Sequence, residues 1–302
     1  MSYFQAIVIA LVQGVTELFP VSSLGHSVLV PAWIGGSWQT LVTQSSQASS
    51  GTSFYLAYIV ALHCATAVAL LWVFRDDWVR IITGFFRSLS RSLRARRLDT
   101  NDAYERLAWL IVLATIPVGI TGLALEHVFR TVFAKPLAAS IFLVVNGLIL
   151  LGGEAVRRRA PEPPPPATAV ESDERVARMP YRDGLYIGSA QVAALFAGIS
   201  RSGATMVAGL IRGLGHEDAA RFAFLLATPV ILAAGVLKIP SLFGDAGAHI
   251  HGQVAVGVVI TGVTAYLSVR FLLRYFETKT LTPFAIYCLI AGAASVVRFA
   301  VG

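Results

Sequence analysis

Residues 13–27 read Gln-Gly-Val-Thr-Glu-Leu-Phe-Pro-Val-Ser-Ser-Leu-Gly-His-Ser, which sets Glu17, Ser22, Ser23 and His26 into an otherwise apolar stretch. A carboxylate near the middle of a membrane helix costs at least ~2.5–3.5 kcal/mol on insertion scales, so such groups usually face a cavity and serve chemistry or transport. Residues 198–205, Gly-Ile-Ser-Arg-Ser-Gly-Ala-Thr, again place a charge and three hydroxyls among apolar residues. The two stretches read as halves of one site. Ser22 and Ser23 precede one short helical segment and Ser200 and Ser202 flank the start of another, where N-capping hydroxyls belong. Two helix N-termini pointing at each other present free N–H groups and positive dipole ends to an anion, and Arg201 adds a fork suited to phosphate oxygens. Close helix packing would explain the small residues here, but neither Arg201 nor Glu17.

An anion site becomes a phosphoryl-transfer site when it also holds a nucleophile and a proton carrier. Ser23 and His26 stand three apart, so in the first turn of a helix they can share one face. Ser23 attacking phosphorus, with His26 or Glu17 as base and Arg201 neutralising the developing charge, makes a coherent covalent mechanism. Gln13, one turn before Glu17, is expected to face the same cavity. His63 either lines that cavity or is a hydrogen-bonded core histidine. His249 and His251 have a spacing seen in metal sites, but without neighbouring Cys or acids they read as solvent-exposed. Cys64 and Cys288 read as buried thiols, and Asp76 and Asp77 as boundary charges.

The elements that must position these groups are membrane helices. The 302 residues are 56% hydrophobic and 14% charged, the signature of a polytopic all-α membrane protein. The net charge of +7 comes from Arg clusters in loops, as cytoplasmic loops facing anionic lipid require, so no nucleic-acid partner is expected. No Lys or Arg precedes Arg75, so the N-terminus lacks the basic region of a signal peptide and is expected to remain as structure.

The predicted architecture is six transmembrane helices plus two re-entrant helical hairpins in an inverted-topology repeat. Residues 1–156 form the first repeat, with a hairpin over 3–34 and spans at 54–74, 107–125 and 136–153. Residues 157–183, with their Pro-Glu-Pro-Pro-Pro-Pro run, form a solvated cytoplasmic linker. Residues 184–302 form the second, with a hairpin over 184–214, a polar turn around Arg212 to Arg221, and spans at 222–240, 253–273 and 281–300. The segment 24–34 is ~16 Å long at the helical rise, half a bilayer, and irregular backbone at that depth is tolerated where it lines a cavity. Val21-Ser22-Ser23-Leu24-Gly25-His26-Ser27 lies over Ile199-Ser200-Arg201-Ser202-Gly203-Ala204-Thr205, and Ala65-Thr66 recurs as Ala227-Thr228. An odd number of spans per half inverts the halves and brings the hairpins together from opposite faces.

With these residues in hand, the chain resembles the undecaprenyl-diphosphate phosphatase family, the bacitracin-resistance type of bacterial membrane phosphatase. The resemblance rests on Gln13 to His26, Gly198 to Thr205, Phe222-Ala-Phe-Leu-Leu-Ala-Thr-Pro229 and Thr282-Pro-Phe-Ala-Ile-Tyr287. It implies a phosphoric anhydride hydrolase that converts undecaprenyl diphosphate to the monophosphate and inorganic phosphate. That reaction recycles the lipid carrier for peptidoglycan and other cell-wall polymers and confers bacitracin resistance. It further implies a place in the bacterial inner membrane with the site open to the outer, periplasmic side. Polyprenyl diphosphate and membrane lipids are the implied partners; the oligomeric state, with a homo-oligomer as one option, is left open by the sequence. By position, Glu17 matches the family's essential acid, Ser23 its proposed nucleophile and His26 its catalytic histidine; Ser200, Arg201, Ser202 and Thr205 match its phosphate-binding motif. A divalent cation, Mg2+ or Ca2+, with Glu17 as ligand belongs to the same expectation. Against it, Gln13 stands where many members have a second Glu, and Ile59 where an acid is often found; Ala197 replaces a usual Pro. A transporter or flippase of polyprenyl phosphate or another anion is the rival reading, since broken helices and a midplane anion site serve carriers too. It needs no Ser23 nucleophile.

Overall fold

A computed structural model describes residues 1–41, 54–132, 135–159, 164, 166–238 and 250–301. Among these the regular elements are helical, with no strand. In chain order they are α1 (Tyr3–Thr16), α2 (Ser23–Ile34), α3 (Phe54–Val73), α4 (Arg75–Ala95), α5 (Ala103–Val132), α6 (Pro136–Arg157), α7 (Ala169–Arg178), α8 (Tyr181–Ala190), a 3-10 turn (Gln191–Leu195), α9 (Arg201–Ile211), α10 (His216–Lys238), α11 (His251–Phe276) and α12 (Thr282–Val301).

Six of these, α3, α5, α6, α10, α11 and α12, are long and apolar enough to cross a bilayer. The protein is therefore a multi-pass membrane protein. The remaining apolar helices are short: the 14 residues of α1 and 12 of α2 rise about 21 and 18 Å, against a hydrocarbon core of about 30 Å. The helices pack in matched pairs. α1 lies on α11 while α8 lies on α5; α11 packs on α3 while α5 packs on α10; and α6 packs on α12 as α3 does on α10. Buried Leu, Ile, Phe and Ala from all six spans merge into one core around Leu62, Leu107, Leu143, Leu226 and Leu272.

Three expectations need correction. The stretch 157–183 is not solvated throughout: α7 folds within it and buries Ser172, Asp173, Val176 and Ala177. Its apolar content is low, but Asp173 gains an ionic partner, Arg221 of α10, at 2.6 Å. The polar segment 216–221 is helix rather than turn, since α10 begins at His216. Asp77 is no boundary charge either; it is buried and accepts from Arg221 at 2.5 Å. His249 lies outside the described residues.

Candidate active site

The site forms where the break after α1 meets the break before α9. Pro20 has no N–H to continue a helix, and the chain re-enters helical conformation at Ser23. Ser22 caps α2 with φ +72, a conformation costly for any residue with a side chain. What over-determines it is its hydroxyl, which accepts from Gly25 N at 3.2 Å and from Gly198 N of the other loop at 3.1 Å. Ser200 caps α9 in the same way, accepting from Gly203 N at 3.1 Å. The loops touch backbone to backbone: a Cβ on Gly25 would sit 2.9 Å from Gly198 Cα, and Gly198 itself has φ +114. Asn146 of α6 clamps both, donating to Pro20 O at 2.9 Å and accepting from Ser200 N at 2.9 Å.

Glu17 is the hub of the site. It is 7% exposed, and its Oε2 accepts from Gln13 Nε2 at 3.1 Å, from the Ser23 hydroxyl, and faces His63 Nε2 at 3.1 Å. Its Oε1 accepts from Arg201 Nη2 at 2.7 Å. An ionised carboxylate away from water needs such partners. His63 Nδ1 meets the Ile59 carbonyl at 2.8 Å, so both ring nitrogens face acceptors. The Arg201 guanidinium beside the carboxylate and the two helix N-termini supply the positive groups that an anion requires.

A cavity of about 330 Å³ opens on this cluster. Its polar wall is Glu17, Ser22, Ser23, His63, Gln191, Ser200 and Arg201, and its apolar wall includes Leu56, Ile59, Val60, Val118, Leu195, Val230 and Ile231. Polar heads converge at one place while the rest is hydrocarbon, a shape for an amphipathic anion.

The structure divides the residues singled out by sequence. Glu17, Ser22, Ser23, His63, Ser200 and Arg201 line the cavity. Gln13 stands behind it, holding Glu17. Ser202 and Thr205 are turned to backbone: Ser202 Oγ donates to Phe19 O at 3.3 Å and Thr205 Oγ1 to Arg201 O at 2.7 Å. His26 does not share Ser23's direction. Its Nδ1 donates to Ser22 O at 2.7 Å and its Nε2 accepts from Tyr287 OH at 2.7 Å, so both nitrogens are engaged away from the cavity. Asn146, Tyr287 and Gln191 are additions from distant segments. For Asn146 and Gln191 an amide within an apolar run was the only signal; Tyr287 closes one of the stretches that carry the family resemblance, but without a role attached.

The donor set does not fit a resident divalent cation on Glu17. Among the described residues Glu17 is the one acid lining the cavity, and its oxygens already take four cationic or neutral donors, a guanidinium among them. A cation on Oε1 would share that oxygen with the Arg201 guanidinium, like charge against like charge. Among the described residues no group of three His, Cys, Asp or Glu side chains gathers at a metal-binding spacing.

Residues 6–294 match the family model described as bacitracin resistance protein BacA. The chain is 56% identical to undecaprenyl-diphosphatase 2 of Frankia alni, covering 100% of this chain and 99% of that one. It is 58% identical to undecaprenyl-diphosphatase of Mycolicibacterium paratuberculosis, over 99% and 98%. To undecaprenyl-diphosphatase 2 of Burkholderia orbicola it is 42% identical, over 97% and 95%. The chain belongs to the bacitracin resistance protein BacA family.

Proposed function

We propose that this protein hydrolyses undecaprenyl diphosphate to undecaprenyl phosphate and inorganic phosphate, and so returns the lipid carrier to cell-wall synthesis. The observation that carries the reading is the Ser23 hydroxyl donating to Glu17 beside Arg201, at the polar head of an otherwise apolar cavity. Ser23 Oγ attacks the terminal phosphorus and passes its proton to Glu17. The bridging P–O bond breaks, polyprenyl monophosphate leaves, and a phosphoserine remains. Glu17 hands its proton to the departing monophosphate; water then hydrolyses the phosphoserine, its hydroxyl joining phosphorus and its other proton restoring the Ser23 hydroxyl. Arg201 and the cap of α9 hold the charge that develops on the phosphoryl oxygens. Glu17 receives the proton while His63 and Gln13 fix its position.

Ser23 is preferred to His26 as nucleophile, because His26 has no nitrogen free and lines no part of the cavity. Within this reading Ser202, Thr205 and His26 shape the loops rather than touch substrate. A resident cation has no part in it; any cation arrives with the diphosphate as part of the substrate.

The reading places the protein in the inner membrane with two re-entrant hairpins, α1–α2 and α8–α9, in inverted halves. The matched helix pairs support that symmetry. Leu56, Ile59, Val60 and His63 lie in the half of α3 remote from Arg75, and Val230 and Ile231 in the half of α10 remote from Arg221. With Arg-rich ends inside, the cavity faces the outer leaflet. The test is phosphate release by the purified chain from a long-chain prenyl diphosphate. Release by the wild type and its loss in Ser23→Ala, with binding of a methylene-bridged analogue retained, support the reading. A Ser23→Ala protein that keeps full phosphate release sinks the serine mechanism, and a wild type that binds the lipid but releases no phosphate favours a carrier.

A further inference from the structure

Gln191 lines the cavity yet its side chain touches nothing polar. The residue is 1% exposed, and neither Nε2 nor Oε1 has a hydrogen-bond partner; Nη1 of Arg201 is likewise buried and unpaired. Each buried polar group left unmet costs about 1–3 kcal/mol, and native structures keep few of them. With Val118, Leu195 and Ile231 on the same wall, a leucine at 191 would fit without that cost. Both polar atoms of its amide are therefore available to a polar group that enters the cavity.

The register of the repeat says what it is. Laying Ser22 over Ser200 lays Gln13 over Gln191 and Glu17 over Leu195. Gln13 donates to the carboxylate of Glu17, four residues on. Gln191 offers the same amide at the same spacing, but Leu195 provides no acceptor. In the first half the chain supplies the anion; in the second an anion must enter from outside.

We propose that Gln191 is a substrate-binding residue, its amide nitrogen donating to a non-bridging oxygen of the prenyl diphosphate beside the free Nη1 of Arg201. This rests on the reading of the cavity as a diphosphate site. The two donors hold the headgroup from the second loop while Ser23 approaches from the first.

The experiment compares full-length wild type, Gln191→Leu and Gln191→Glu in detergent or nanodiscs. It measures kcat and KM for a long-chain prenyl diphosphate, the Ki of inorganic diphosphate as competitor, and the thermal unfolding midpoint. Gln191→Leu should lower kcat/KM about 10- to 100-fold, as loss of a charge-assisted hydrogen bond does, chiefly through KM. Its Ki for inorganic diphosphate should rise in parallel, and its midpoint should stay or rise because an unmet polar group has gone. Gln191→Glu, nearly isosteric but charged, should lose more. Should Gln191→Leu fail to fold, Gln191→Met carries the same prediction. An active wild type matched by Gln191→Leu in KM and Ki overturns the proposal alone. So does a lowered midpoint with KM and Ki unchanged, which marks a structural residue. A folded wild type that releases no phosphate overturns the diphosphate reading and this proposal with it.

Discussion

The molecule buries charge in two places, and they differ in what is left over. At the Arg-rich end, Arg221 donates from Nε to Asp173 at 2.6 Å and from Nη2 to Asp77 at 2.5 Å, with its guanidinium 5.1 Å from the Phe74 ring centroid. Asp218 accepts from Ser172 at 2.5 Å. None of these five charged and polar side chains has a buried atom unpaired, and together they fasten α7 and α4 to α10. Between the loops, Glu17 is equally well satisfied, but Arg201 Nη1 and both polar atoms of Gln191 are not, and a cavity opens beside them. Burial of an ion pair therefore does not mark chemistry by itself. Bonding capacity left unused beside an open volume does.

The contrast can be broken from either side. The largest expected effect is Ser23→Ala, which should cut kcat by about 10⁴-fold or more, as loss of a covalent nucleophile does, with the unfolding midpoint unchanged. Arg221→Ala should do the reverse. It strands Asp77 and Asp173 in the interior and should cost about 3–5 kcal/mol of stability, read as a lowered midpoint, while kcat per folded molecule stays within twofold. Arg201→Ala should cost about 10²–10³-fold in kcat/KM, the usual range for a donor to developing charge. If its loss appears only as lower stability, the two clusters are alike and the distinction fails. Tyr287→Phe removes the partner of His26 Nε2 and should cost only about 0.5–1.5 kcal/mol of stability, with activity changed less than tenfold. A loss as deep as that of Ser23→Ala would return His26 to the chemistry.

The same contrast explains which parts could be read from the residues alone. Glu17, Ser22, Ser23, Ser200 and Arg201 announced themselves because polar groups clustered within short apolar runs are costly wherever they sit, and cap chemistry fixed which end of each helix they occupy. The spans followed from length and hydropathy. Asn146, Tyr287 and Gln191 stand singly in apolar helices or turns, where a polar side chain looks the same whether it clamps two loops or bonds its own backbone. His26 was misdirected for a similar reason. Spacing put it near Ser23, but the ring turns toward an acceptor and a phenol supplied from 261 residues away. The fold of α7 was hidden because ionic pairing with Arg221, rather than apolar content, holds it down.

The central claim is that the Ser23 hydroxyl takes the phosphoryl group. Incubating the purified chain with a prenyl diphosphate labelled at the terminal phosphorus, quenching within one turnover and mapping the label by mass spectrometry tests it most directly. Phosphate should appear on Ser23 and be absent from Ser23→Ala; label on His26, or turnover with no labelled protein at any time point, would rule the serine out.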